Sequence, residues 1–262
     1  MYQIFPIGVV LAFAAAVVLT QFALATVQRE ARVTRVIRDV RLLAAHAAPR
    51  PASVNDNVHE GTAVRTGSDS RAELTFPDQT LARLGANTVF SFGEDTKTYD
   101  LKSGAILMCA PKSSGQLKVN TTVATAAVTG FTFIYEYHLK SWNKWAILEG
   151  DGSITLKRYP SQTRQLHAGQ IIIFRPDATT LPEPQEFDIC ILPKKSLLFT
   201  QFAKLPTWPL IVAECEKQQT SPLTDRLIDP INQDALDENS VAHPFPQPPA
   251  PRPTFTGGFR PR

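Results

Sequence analysis

Between residues 71 and 76 the side chains alternate, with Ala72, Leu74 and Phe76 on one side and Arg71, Glu73 and Thr75 on the other. That period of two predicts a short strand with one face on a core and one in water. Turn clusters bound it: Thr66-Gly67-Ser68-Asp69-Ser70 before, Pro77-Asp78-Gln79 after. A second strand is predicted over residues 80–84. Gly85-Ala86-Asn87 reverses the chain, and a third strand over residues 89–92 places Phe90 and Phe92 on one face. The three read as a meander.

The same punctuation runs through the middle of the chain. A first strand is expected over residues 31–37 and a loop over 44–57, where Pro49, Pro51 and Asn55-Asp56-Asn57 lie. After a turn at Gly93-Glu94-Asp95 the pattern predicts strands over 97–101 and 106–109. Leu117, Val119 and Thr121 alternate with polar neighbours, the small and β-branched run that follows suits close strand packing, and Gly130 marks a bulge or a close backbone approach. Phe131, Phe133, Tyr135 and Tyr137 share a face. Ser141 to Lys144, Gly150-Asp151-Gly152 and Ala168-Gly169 read as turns before strands over 145–149, 153–159 and 170–174.

Strands at such intervals predict an all-β domain, an antiparallel sandwich or a short solenoid-like roll of about ten to twelve short strands. From Arg175 the character changes. A helix is expected over 194–205 and a second over 210–217, with Pro206 and Pro209 between them. Beyond Gln218 the chain is polar, and seven of its 21 prolines fall in the last twenty residues, which predicts an extended, disordered tail. The expected organisation is therefore 1–25, an export segment; 31–175, the β domain; 176–217, an extension with short helices; and 218–262, the proline-rich tail.

Residues 7–25 form an apolar run broken only by Thr20 and Gln21, long enough to cross a bilayer and ending in Ala23-Leu24-Ala25. It reads as a cleaved signal peptide or as an uncleaved membrane anchor, with export to the periplasm or cell envelope expected either way. The arginines at 29, 32, 35 and 38 pull against that orientation. Twenty-seven Lys and Arg against 24 Asp and Glu leave a net charge of only +3, which argues against a nucleic-acid binder. Of the three cysteines, Cys109, Cys190 and Cys215, none makes a CxxC pair. Cys190 with Cys215 is the preferred disulfide outside the cytoplasm; three small buried hydrophobes are the alternative.

Thr66 to Thr88, in the order TG-x-x-SRAEL-x-F-x-D-x-TL-x-RLG-x-NT, resembles the FecR-type domain, an envelope module named for bacterial iron-dicitrate sensing. The resemblance continues through Leu101-Lys102-Ser103-Gly104-Ala105-Ile106, the run VNTTVATAAVTGFTF over 119–133, Leu148-Glu149-Gly150 and Ala168-Gly169-Gln170, and so covers residues 33–175. Gln79, Thr122 and Phe131 depart from the glycine, proline and threonine usual in the family. The resemblance implies an envelope module that relays receptor occupancy through a membrane helix to a cytoplasmic segment holding a sigma factor. Because only six residues precede the apolar run, the expectation is a stand-alone exported member without that segment.

No catalytic set, metal site or cofactor motif emerges. His46, His59, His138, His167 and His243 are scattered, and neither HExxH, GxSxG, a P-loop nor a dinucleotide fingerprint occurs. Glu94-Asp95 and Asp151 sit where turns call for acidic residues. Binding without catalysis is therefore expected, by a face contact or by β-strand addition. The phenylalanines of the aromatic row are assigned to the core, and Tyr135, Tyr137 and Trp142, nearer the turn, to a rim that contacts an envelope protein or a glycan. Membrane contact is expected only through an uncleaved N-terminal segment. The alternative reading is a structural envelope or adhesion protein, with the β domain a rigid spacer and the proline-rich tail a tether.

Overall fold

The computed structural model describes residues 30–93, 97–220 and 227–230. Among them are fifteen strands: β1 (Glu30–Ile37), β2 (Val40–Leu43), β3 (Arg50–Pro51), β4 (Asn57–His59), β5 (Ala63–Thr66), β6 (Arg71–Thr75), β7 (Leu81–Leu84), β8 (Val89–Phe92), β9 (Thr98–Ala110), β10 (Gln116–Asn120), β11 (Ala124–His138), β12 (Trp142–Leu156), β13 (Thr163–His167), β14 (Gln170–Phe174) and β15 (Gln185–Glu186). All fifteen belong to one continuous sheet. That sheet folds over on itself into two layers.

The fold line follows the three long strands. β9, β11 and β12 each hold a glycine in the left-handed region near mid-length: Gly104 at φ 90°, Gly130 at φ 60° and Gly150 at φ 88°. The first half of β9 pairs with β8 and β10, and the second half with β7 and β11. β11 pairs with β10 over its first half and with β9 over its second, while β12 runs antiparallel to it throughout, with register shifts between Thr129 and Phe133. Each long strand thus contributes to both layers and bends where a side chain would obstruct the turn. The architecture is all-β as expected, but it is a sheet closed on itself in the manner of a small barrel, and not the two separate sheets of a plain sandwich.

The turn expected at Gly150-Asp151-Gly152 is therefore a bend inside β12, and the two strands expected over 97–101 and 106–109 are one strand, β9, bent at Gly104. The meander is also revised. β6 pairs with β7, but β8 crosses to the other layer and pairs with β5 and β9. The turn expected at 93–95 falls partly outside the described residues.

Between the layers lies the main core, with Leu74, Phe90, Phe92, Tyr99, Phe133, Tyr135, Trp145 and Ile154 all essentially inaccessible. Each such side chain removes its apolar surface from water, worth about 1.5–3 kcal/mol. Phe76 meets Phe92 and Tyr99 edge-on at 5.0 and 5.3 Å, a geometry that aromatic quadrupoles favour.

A second cluster lies on the outer face of the layer formed by β7, β14 and the second half of β9, and is roofed by the C-terminal extension. The extension holds α1 (Leu192–Lys195), α2 (Leu197–Thr200) and α3 (Trp208–Gln219). Where one helix was expected over 194–205 there are two single turns, because Ser196 adopts an extended conformation between them and caps α2 by accepting from the Leu198 amide. Pro209 does not precede the last helix but lies in its first turn, where its missing N–H costs nothing. Cys190 and Cys215 are joined in a disulfide with Cα atoms 5.3 Å apart, and Cys109 is a buried free thiol. Ordered structure also continues past Gln218, for Ile228 bridges to Phe187.

Among the described residues no helix is long and apolar enough to cross a membrane. The apolar run over 7–25 and the proline-rich stretch over 243–262 lie outside the described residues.

Candidate functional site

Phe133, Tyr135 and Tyr137 of the aromatic row lie inside the molecule. Tyr135 and Tyr137 are 0% and 1% exposed and Trp142 is 5% exposed, so none of the three forms a rim. Alternate residues of β11 point between the layers, and that parity carries both tyrosines inward with Phe133. The Tyr135 hydroxyl lies 3.4 Å from that of Thr121, and burial pushes its phenol well above the usual range. Trp142 lies beneath the His138 ring, centroids 4.1 Å apart, with the Lys144 ammonium 5.7 Å from the indole.

What reaches the surface at this end of the hairpin is a cleft of about 240 Å³. Asn87, Ser103 and Gly104 form one wall; Glu136, His138 and Leu139 form the other, and Tyr137 also lines it. The first wall is tightly specified. Asn87 turns the chain at φ 51°, and the Thr88 hydroxyl donates to the Ala105 carbonyl while accepting from the Ala105 amide at 3.0 Å. The Thr66 hydroxyl likewise accepts from the Thr88 amide at 2.9 Å and donates to the Gly85 carbonyl at 2.5 Å. A Cβ at Gly104 would collide with the Thr88 backbone.

The opposite wall carries the chemistry. Glu136 is only 3% exposed and stands across from Lys144 in the β11–β12 register. Lys144 is itself buried, and its ammonium donates to the Pro230 carbonyl at 2.8 Å. Burial, and secondarily the Lys144 charge, lower the pKa of His138 below the ordinary histidine value, so its ring is neutral at pH 7. Leu139, at the hairpin tip, is 58% exposed. The cleft thus combines a rigid wall, a neutral imidazole and an exposed aliphatic side chain.

The other singled-out residues do not converge on it. His167 Nδ1 lies 2.6 Å from Asp151 Oδ1 on the open polar face of the other layer, where water screens the pair. His59 and Glu30 stand 4.0 Å apart at a strand edge. His243 lies outside the described residues. Among the described residues no group of three or more His, Cys, Asp or Glu is placed to hold a metal ion.

Residues 62–151 match the family model described as FecR protein. The chain carries a FecR domain. Its matched segment begins in the turn before β5 and ends just past the bend of β12, so both walls of the cleft fall inside it. Among solved structures, two crystal structures of a candidate anti-sigma factor from Parabacteroides distasonis are similar, each at TM-score 0.42 and 15% identity. Each alignment covers 47% of this chain, and the chain spans 59% of the length of that protein. No curated protein matches the chain.

The sequence reading missed one set of contacts within the FecR domain. Arg71 and Glu73 were expected to face water and Arg83 was given no role, yet Arg71 and Arg83 are each 1% exposed. Arg83 pairs with Glu73 at 2.9 Å and donates to the carbonyls of Leu198 and Ala203 in the C-terminal extension. Its guanidinium also lies 4.8 Å from the centroid of the Phe202 ring. Cationic and acidic residues recurring on the polar side of β6 and β7 were the available signal.

Proposed function

We propose that this protein is an exported, FecR-type sensing or signalling module of the cell envelope that acts by binding a protein partner at the β11–β12 hairpin end, without catalysing a reaction. The observation that carries the reading is the cleft itself. It lies wholly within the matched FecR segment, one wall is fixed by signature residues Asn87, Thr88 and Gly104, and Leu139 stands exposed at its mouth. An exposed aliphatic side chain beside a neutral histidine and a backbone-lined wall suits a protein surface better than a sugar. Burial of Tyr135, Tyr137, Trp142 and Trp145 removes the aromatic platform a glycan would stack on.

Face contact is favoured over strand addition because the sheet edges are blunt. β3 is two residues long and includes Pro51, β4 is three residues long, and β15 is two. Beside β13, Leu181 and Glu183 bond to Gln162 and Arg164 from a segment that also holds Pro182 and Pro184. The non-enzymatic reading draws support from the exposed, solvent-screened setting of the His167–Asp151 pair.

Crosslinking in cells followed by pull-down tests this. The wild-type chain is expected to retain one dominant protein, and Leu139→Glu to lose it while the fold is unchanged by circular dichroism. Retention of general wall or outer-membrane material by both would favour the structural spacer instead.

A further inference from the structure

The C-terminal extension is tied to the barrel in an unusual way. Leu107, Cys109, Ile134 and Leu148 on the barrel surface are buried beneath it. Yet it adds almost nothing to the strand ladders: β15 contributes two pairs with β14, and the Phe187 amide donates to the Gly169 carbonyl at 2.9 Å. Its remaining polar ties are discrete. Arg83 holds the Leu198 and Ala203 carbonyls, Thr132 meets the Thr207 hydroxyl at 2.6 Å, and Lys144 reaches the Pro230 carbonyl. Within the extension, Cys190 and Cys215 are 25 residues apart and joined, so the disulfide ties the stretch before α1 to α3.

We infer that residues 187–220 together with 227–230 form a separable cover, cross-linked within itself by the Cys190–Cys215 disulfide and held down by the Arg83 guanidinium, that lifts as a unit from an otherwise folded barrel and bares the apolar face beneath it. The inference does not rest on the binding site at the hairpin end. The ladders among β9, β11 and β12 are complete without the cover, so its release breaks none of them. In contrast, α1 and α2 are four residues each and too short to persist undocked, so the cover holds or leaves together. The disulfide restricts the lifted state and so favours the docked one. Cys109 reports the event directly, since its Sγ lies 3.3 Å from the Thr207 hydroxyl at the start of α3 and it is 1% exposed. Lifting the cover opens that thiol to solvent.

The test uses the full chain with the disulfide intact, followed by native-state hydrogen exchange through low denaturant. Amides of residues 197–219 are expected to open at lower free energy than those of β9, β11 and β12. In the Cys190→Ser/Cys215→Ser double variant, cover exchange and iodoacetamide alkylation of Cys109 are expected to accelerate by about tenfold or more, with strand protection unchanged. Cover and strands exchanging together in the wild-type chain would overturn the inference, as would Cys109 alkylation no faster in the double variant. A double variant that fails to fold would also contradict it, because the barrel is held to stand without the latch.

Discussion

At Gly104 the backbone sits at φ 90°, with Thr88 packed against the place a Cβ would take. Gly104→Ala therefore combines an unfavourable dihedral with a backbone clash, and is expected to cost roughly 2–4 kcal/mol by urea denaturation. A loss below about 0.5 kcal/mol would mean that the wall relaxes freely. His138 gives a pH prediction. Burial and Lys144 depress its pKa, so the stability tied to its neutral ring is fully present above the ordinary histidine value and is lost as pH falls toward the lower folded one. The thermal midpoint should drop between about pH 7 and 5, and His138→Gln should flatten that stretch of the profile. The alternation of residues 131–137 showed in the sequence that Phe133, Tyr135 and Tyr137 share a face. It did not show that Tyr135 and Tyr137 are interior as well as Phe133, because a position beside a hairpin turn is ordinarily at a rim, and here His138 and Lys144 close over Trp142.

Among the elements, strand positions were the most legible part of the fold. Arg71–Thr75, Leu81–Leu84 and Val89–Phe92 lie within a residue of where alternation put them. The three long strands were not legible as such. A glycine between two alternating runs gives the same local signal whether the chain reverses or merely bends, and only pairing on both sides of Gly104, Gly130 and Gly150 separates the cases. The role of Arg83 was not legible for a related reason: its carbonyl partner in Leu198 is 115 residues away, beyond the reach of any local pattern. Arg83→Ala leaves Glu73 without its buried partner and two carbonyls without a donor, and is expected to cost about 3–5 kcal/mol. Adding Glu73→Gln should recover part of that loss. A double variant no better than the single one would show that the carbonyl contacts, and not the ion pair, carry the effect.

Taken as a whole, the molecule is a folded-over sheet with one polar face in water, one apolar face under a cover, and a cleft where the β11–β12 hairpin meets the Asn87 turn. Glu149, at the bend of β12, has its pKa raised by burial, a shift that Lys112 opposes and that Glu214 on α3 and Asp151 reinforce. The stability tied to its neutral form is complete below the ordinary glutamate value and lost as pH rises through the raised one, so Glu149→Gln should raise the thermal midpoint at pH 7.5. An unchanged midpoint would mean that the carboxylate is satisfied where it stands. The roof over the second apolar cluster was the least legible feature, because its floor is gathered from strands between residues 105 and 171 and its lid from residues 187–211, and no local pattern joins the two. The most direct test of the central claim is photocrosslinking in living cells from a benzophenone amino acid placed at position 139 in the cleft, against the same residue placed at position 153 on the polar face. The account predicts one dominant protein adduct from position 139 and none from position 153. The same faint mixture of adducts from both positions would contradict it.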